Sequence, residues 1–312
     1  MRAIVQRSYG GPEVLEVQEV PAPEPIATEV QVRVHAAGIN PVDFKTRAGK
    51  GMAGILEPPM TIGWDVAGTV SAVGVGVTRF QAGDEVLGMP WFPREAGAYA
   101  EYVTAPSRHF VGKPHTLSFV EAAALPLAGL TAWQLVVDAI AVREGDDVLI
   151  HGGAGGAGHL AVQIAKARGA TVFATARAEQ AEWLRQLGAD EVIDYRSERF
   201  EERVGELDAV IDFPGGDLGE RSLDVLRPGG KLVQVRGTGA EELRAAAKER
   251  KLRVTGFLVE PDPVGLDGLV SLIEAGRLEV HVDSVFELAR AAEAHRSAEA
   301  HHGGGKIVLE VS

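Results

Sequence analysis

Val148 to Ala170, VLIHGGAGGAGHLAVQIAKARGA, decides the fold. Val148 to Ile150 is an apolar run suited to a buried strand, and a glycine cluster separates it from a helical pattern. Ala157, Leu160, Ala161, Ile164 and Ala165 recur at i, i+3, i+4, i+7 and i+8, which is one buried helix face, and Gly169 stands where that helix would stop. Between strand and helix, Gly153, Gly155 and Gly158 satisfy G-x-G-x-x-G. In such a loop the first glycine permits a tight turn, the second lets the backbone approach a phosphate, and the third lets the helix pack closely on the strand. Free amides aligned with the helix dipole then face an anion. The context is that of a dinucleotide pyrophosphate site, with Gly156 and Ala157 joining the three glycines as cofactor-binding candidates. A phosphate loop of the NTPase kind is excluded, because Gly158-His159-Leu160 stands where Gly-Lys-Ser/Thr is needed.

The 312 residues suffice for two domains, and 46% hydrophobic with 24% charged residues is the balance of an ordinary globular protein. A net charge of −13 disfavours a nucleic-acid or anionic-membrane surface, so an anionic ligand must rely on local amides and a few placed cations. Without cysteine there is no disulfide framework, thiolate metal site or cysteine nucleophile. The first residues, Met1 to Arg7, hold no apolar signal core, and the apolar stretch Ala122 to Val142 is interrupted by Pro126, Gly129, Gln134 and Asp138. Buried helices of a cytoplasmic protein are expected there.

Up to about residue 118 short alternating runs dominate: Val30, Val32 and Val34 face one way, Gln31, Arg33 and His35 the other. Between about 120 and 257, strands are predicted at 147–150, 171–176, 191–194, 207–213, 231–235 and 252–257, with helices between them. Six such strands suit a doubly wound parallel sheet. The tail holds predicted helices near 266–275 and 287–298 and a strand at 306–311, and is expected to return to the first domain.

Several segments are similar to one known family: Ala36-Ala37-Gly38-Ile39-Asn40-Pro41-Val42-Asp43, Gly63-Trp64-Asp65-Val66-Ala67-Gly68, Gly97 to Val103, Leu130-Thr131-Ala132-Trp133, the glycine loop, and Leu187-Gly188-Ala189-Asp190. Through them the chain resembles, along its whole length, the medium-chain dehydrogenase/reductase family, in its zinc-independent quinone oxidoreductase branch. The resemblance implies an α/β protein: a GroES-like β-rich catalytic domain (1–119 and 258–312) plus a Rossmann domain (120–257) built on a doubly wound parallel six-stranded sheet. It further implies a cofactor held between the domains and a homodimer. Family members reduce quinones, enals or enones with NADPH. Zinc-dependent relatives place a cysteine where this chain has Asn40, a histidine and glutamate near Trp64 and Asp65, and a cysteine-rich lobe after the position of Met89; none of these is present. Zinc polarises an isolated carbonyl or alcohol oxygen as a Lewis acid, so its loss points to a conjugated acceptor that delocalises charge onto its own oxygen. No metal site is expected. His109, His115, His281, His295 and the His301-His302 pair are expected on the surface or in loops, and no two histidines have i, i+4 spacing.

About 20 residues beyond the loop, where NAD enzymes carry an acidic ribose ligand, the chain reads Phe173-Ala174-Thr175-Ala176-Arg177. No carboxylate stands there. Arg177 suits the 2′-phosphate of NADPH/NADP through its planar fork, or is a solvated arginine at a helix start. Thr175 and Tyr195 fall on the same rim, and the resemblance places the tyrosine beside the ribose phosphate. Val235 and Arg236 end the fifth strand, where ligands of open sheets sit, and Thr131 joins them as a cofactor contact by resemblance. Asn40, Asp43 and Lys45 are the catalytic candidates, against the alternatives of a turn residue, a helix cap and a solvated lysine. Trp64, Trp91 and Phe92 are read as an aromatic wall for a planar substrate or as core. The expected partner is a small conjugated carbonyl or quinone, not nucleic acid or membrane. Two other classes stay open: an NADPH-binding regulatory or structural protein with little turnover, and a glycine-loop methyltransferase, which usually wants an acidic ribose ligand after strand two.

Overall fold

The computed structural model describes residues 1–235, 240–300 and 304–311. Its strands, in chain order, begin with β1 (Arg2–Gln6), β2 (Leu15–Glu19), β3 (Glu29–Ile39), β4 (Met60–Thr61), β5 (Val66–Val73), β6 (Glu85–Gly88), β7 (Tyr102–Pro106) and β8 (Phe110–Gly112). There follow β9 (Asp147–His151), β10 (Thr171–Ala176), β11 (Glu191–Asp194), β12 (Leu207–Asp212), β13 (Leu226–Gln234) and β14 (Arg253–Gly256), and finally β15 (Val282–Glu287) and β16 (Lys306–Glu310).

The chain divides into two compact units: Met1–Leu130 with Glu260–Glu274 and Val280–Ser312, and Thr131–Val259 with Ala275–Glu279. The first is built on β3. Its alternation buries Val30, Val32 and Val34, while Arg33 on the opposite face stays exposed, as a half-buried strand requires. One edge of β3 pairs antiparallel with β5; the other takes β7 along Glu29–Arg33 and β16 along Ala36–Ile39. Because β15 and β16 lie beyond β3, the last residues of the chain complete a sheet begun by the first forty.

The second unit is an all-parallel six-stranded sheet in the order β11-β10-β9-β12-β13-β14. The order reverses between β9 and β12, and in doubly wound sheets that switch point is where a ligand meets the carboxyl ends of the strands. Leu149, Ile193, Val210 and Leu232 form the centre of one face of the core.

Expected boundaries and observed ones differ where helices choose a neighbour. The break expected at 119/120 falls inside the stretch that supports the first sheet: helix Phe119–Ala124 buries Ala122, Ala123 and Ala124 against β3, β5 and β16. The helix expected at 266–275 begins at Pro263, because Asp262 caps it by accepting the amides of Val264 and Gly265 at 2.9 Å each. Residues 275–279 leave the first unit, since the Gln163 side chain both donates to the Glu279 carbonyl (2.9 Å) and accepts its amide (2.7 Å). Among the described residues no helix is long and apolar enough to cross a membrane.

A β-carbon on Gly158 would lie 2.2 Å from the Gly152 carbonyl oxygen. Gly158→Ala should therefore cost about 1–3 kcal/mol of stability, the usual range for overpacking. Gly205→Ala, whose new carbon meets nothing within 4 Å, should be neutral or slightly stabilising. Denaturant midpoints of the two variants check the contrast, and equal midpoints would show that the loop has room to shift.

Candidate functional site

The glycine loop leaves β9 at His151. Its left-handed turn residue is Gly152 (φ 73°), which corrects the expectation that Gly153 makes the turn. Gly153 is needed for a different reason: a β-carbon there would fall 2.9 Å from that of Ala174 on β10. The Gly155 amide returns to the Gly152 carbonyl at 3.0 Å, and His159 donates to the Gly155 carbonyl at 3.1 Å. Helix Gly158–Ala167 then begins. Among the described residues, the amides of Gly156, Ala157 and Gly158 meet no protein acceptor, so three donors at the positive end of a helix stand ready for an anion.

Thr175, expected at the cofactor, is buried beneath the loop: its carbonyl accepts the Gly153 amide at 3.0 Å and its hydroxyl oxygen the Gly152 amide at 3.1 Å. On the rim Arg177 Nε donates to the exposed Tyr195 hydroxyl at 3.2 Å, which brings together two residues predicted from sequence. The structure adds Glu179, 3.6 Å from the same guanidinium. Thr131 is buried. Val235, the residue after β13, puts its amide on the Asp212 carbonyl at 3.0 Å, and Arg236 lies outside the described residues. Sequence reasoning missed a polar row below the loop. Thr175, His151, Asp212 and Gln234, on four neighbouring strands, are in register with one another and all buried.

In the first unit Asn40 follows β3 directly and caps helix Pro41–Arg47. Asp43 accepts the Asn40 amide on Oδ2 at 2.6 Å, which is a helix cap, and the Tyr99 hydroxyl on the same oxygen at 3.0 Å. Among the described residues its Oδ1 is buried without a partner. The Asn40 side chain donates from Nδ2 to Asp65 Oδ2 at 2.8 Å and accepts on Oδ1 from Lys306 Nζ, which also reaches the Ile39 carbonyl at 2.9 Å. Asp65 Oδ1 accepts the Leu127 amide at 2.6 Å. Lys45, on the same helix, is half-buried; lying two residues from Asp43, it faces another way.

His295, expected on the surface, is fully buried, because helix Ala291–Ala300 presents Ala291, Ala294 and His295 inward. Arg47 has no acceptor, so at 3.2 Å His295 Nδ1 must accept from it; Nε2 then carries the proton and donates to Tyr99 at 3.2 Å. Burial, then Arg47, holds the imidazole down to about 3, hence neutral. Burial above all pushes Asp43 up to about 7, with the Asp65 charge adding to it and the Asn40 amide opposing. The aromatic candidates divide. Trp64 is fully buried, bonded to the Arg94 carbonyl (2.7 Å) and packed edge-on against Phe92 (5.3 Å), so these two belong to the core. Trp91 sits half-buried at φ 56°, a costly conformation for its type, held by the Thr104 carbonyl and His109 Nδ1. Among the described residues no three His, Cys, Asp or Glu are grouped to hold a metal ion, and His301 and His302 lie outside them.

The Asp43 shift predicts a pH effect. From about pH 4 to 7 the folded state keeps a proton that the unfolded chain has lost, so this group's contribution is full below about 3.8 and is lost as pH rises through 7. His295 works oppositely, its contribution being lost as pH falls from 6.5 towards 3. Asp43→Asn, which keeps the acceptor and cannot ionise, should gain on the unmodified protein between pH 4 and 7 by up to about 1.4 kcal/mol per pH unit. Denaturation at pH 5, 6 and 8 measures this; a constant difference would mean that Asp43 titrates normally.

Two family models match the chain: the alcohol dehydrogenase GroES-like domain over residues 26–115 and the zinc-binding dehydrogenase over 187–309. A quinone oxidoreductase from Coxiella burnetii superposes with a TM-score of 0.94 at 39% identity, covering 100% of this chain and 99% of that one. The Escherichia coli quinone oxidoreductase complexed with NADPH gives 0.87 at 31%, covering 99% and 100%. The Arabidopsis thaliana chloroplastic NADPH-dependent alkenal/one oxidoreductase is 35% identical over 319 residues, 99% of this chain and 79% of the relative. The six-stranded Rossmann sheet, the β-rich GroES-like unit and these full-length likenesses agree, and the chain belongs to the medium-chain dehydrogenase/reductase family, among its quinone oxidoreductases.

Proposed function

We propose that the protein is an NADPH-dependent reductase of quinones or α,β-unsaturated carbonyls that works by direct hydride transfer without a metal. The observation that carries this reading is the set of three unpartnered amides, Gly156, Ala157 and Gly158, at the start of helix Gly158–Ala167. They fit a pyrophosphate, and the Arg177–Tyr195 pair fits a 2′-phosphate. Glu179 opposes the second fit weakly, because an exposed carboxylate is screened and free to turn away. When bound, NADPH supplies a hydride. Thr131 and Val235 are the remaining candidate contacts.

The zinc named in one family description does not fit these residues. Zinc takes thiolate, imidazole and carboxylate donors, whereas this chain has no cysteine and places the Lys306 ammonium among the oxygens of Asn40, Asp65 and Ile39. A positive charge already occupies that cluster. With no Lewis acid, the oxygen of the acceptor must find a protein donor as negative charge builds on it. Lys45 is the residue we assign to that role. Asn40 and Asp43, tied into the buried network, position the helix that carries it. A cytoplasmic homodimer completes the reading: β14 is an edge strand, and Leu258 beside it is exposed, a surface suited to a second copy.

NADPH oxidation with a panel of small quinones and enones tests the activity; no turnover with any of them leaves only a binding protein. Activity should survive chelation. NADPH should bind at least tenfold more tightly than NADH, about 1.4 kcal/mol, and Arg177→Ala should erode that margin. Equal affinities in the unmodified protein would sink the assignment of Arg177. Lys45→Met should lower kcat by roughly 10²-fold while NADPH affinity stays within a few-fold. An unchanged kcat with both acceptor classes would return Lys45 to the surface.

A further inference from the structure

Buried polar groups must be paired, and the row under the glycine loop shows how strictly. Asp212 accepts the Gly215 amide on Oδ1 (2.8 Å) and Gln234 Nε2 on Oδ2 (2.9 Å). His151 uses both ring nitrogens: Nδ1 lies 3.2 Å from Thr175 Oγ1 and Nε2 3.1 Å from Ser222 Oγ. The directions of these bonds are forced. The single hydroxyl hydrogen of Ser222 goes to the Leu218 carbonyl at 2.6 Å, so towards His151 that oxygen accepts and Nε2 carries the proton. Nδ1 of a neutral ring is then an acceptor, and the Thr175 hydroxyl donates to it. This turns a lone pair of Thr175 Oγ1 to the Gly152 amide, 3.1 Å away. One directed chain thus runs from Gly152 through Thr175, His151 and Ser222 to Leu218.

The imidazole is suited to this. Burial lowers it to about 4, with Arg221 acting in the same direction and Glu201 against it. Phe200 packs on it edge to face at 4.7 Å, with the Arg221 guanidinium 4.9 Å above the same phenyl ring. The loop after β12 also closes on the turn, since Pro214 lies 3.2 Å from where a Gly152 β-carbon would be.

We propose that His151 is a positioning residue of the dinucleotide loop: by fixing the Thr175 hydroxyl it holds the Gly152 turn, and it couples that turn to helix Leu218–Ser222 across the switch point of the sheet. The free amides of Gly156 to Gly158 keep their arrangement because the mouth of the loop cannot open. The inference rests on the NADPH reading above, and its test separates the two.

The variants are His151→Phe, which removes both bonds, His151→Gln, which restores a donor and an acceptor, and Thr175→Val and Ser222→Ala, which cut the chain on either side. Two quantities are read: amide exchange of Gly152 and Gly153 in the cofactor-free protein, and the Kd of NADPH by intrinsic fluorescence. His151→Phe and Thr175→Val should each speed exchange and weaken NADPH about tenfold, about 1.4 kcal/mol. NADH should weaken by the same factor, because the chain acts on the loop and not on the 2′-phosphate end. Their combination should be no worse than the stronger single change, as expected of one linked chain. Ser222→Ala should act in the same direction, and His151→Gln should recover most of the loss. Unchanged exchange and a Kd within twofold in folded Thr175→Val and Ser222→Ala, or additive losses in the double variant, would overturn the proposal. If the unmodified protein does not bind NADPH, the cofactor reading fails, and the exchange data alone still decide whether His151 holds the turn.

Discussion

Lys306 carries its ammonium into the interior of the first unit, and the arrangement around it follows from pairing that group. An unpaired buried charge costs several kcal/mol, so oxygens converge on Nζ from Ile39, Asn40 and Asp65. Among the described residues the hydrogen-bond partners of Asp65 are all donors: Leu127 on one oxygen, Asn40 and Lys306 on the other. The ammonium thereby joins three distant stretches of chain. It stands at the first residue of β16, it touches the last residue of β3, and it fixes the side chain that opens helix Pro41–Arg47. The antiparallel pairing of Ile307 with Ile39 sets the register, and the lysine beside it leaves that register little freedom to slip.

The second unit obeys the same rule with neutral groups. Four polar residues stand at one level at or next to the ends of four central strands, and each spends its hydrogen bonds on a loop or a neighbour: Thr175 on Gly152, Asp212 on Gly215, Gln234 on Asp212, His151 on both sides. An apolar edge would leave the turn amides of these loops without partners. The loops at the carboxyl ends of these strands are therefore shaped from beneath, by buried side chains.

Much of this was legible in the sequence and some was not, for a consistent physical reason. Periodicity and the glycine spacing are local signals, so strands β9 to β12 and helix Gly158–Ala167 fall within a residue or so of their expected places. The glycine roles were less legible. Gly152 and Gly153 are adjacent, and only backbone geometry shows that the first needs positive φ while the second needs the absence of a β-carbon. His151, His295 and Lys306 were invisible as a class, because nothing near them in sequence announces their partners. Arg47 and His295, for example, are brought together only by the fold. Trp64 stays open between pocket wall and core in the sequence, since an aromatic residue in a motif reads either way until its burial is known.

Both polar clusters also restrict where charge resides. His151 and His295 are held neutral by burial, while Asp43, pushed to about 7, is about half ionised at neutral pH, so of these groups only the two histidines add no net charge to their surroundings. Oriented donors in a low dielectric stabilise charge that appears transiently, because they act without having to reorganise. A conjugated acceptor, which spreads developing charge over its own atoms, asks less of such an environment than an isolated carbonyl does. On the proposed reading, that difference in demand is the physical reason for preferring quinones and enones to simple ketones as substrates.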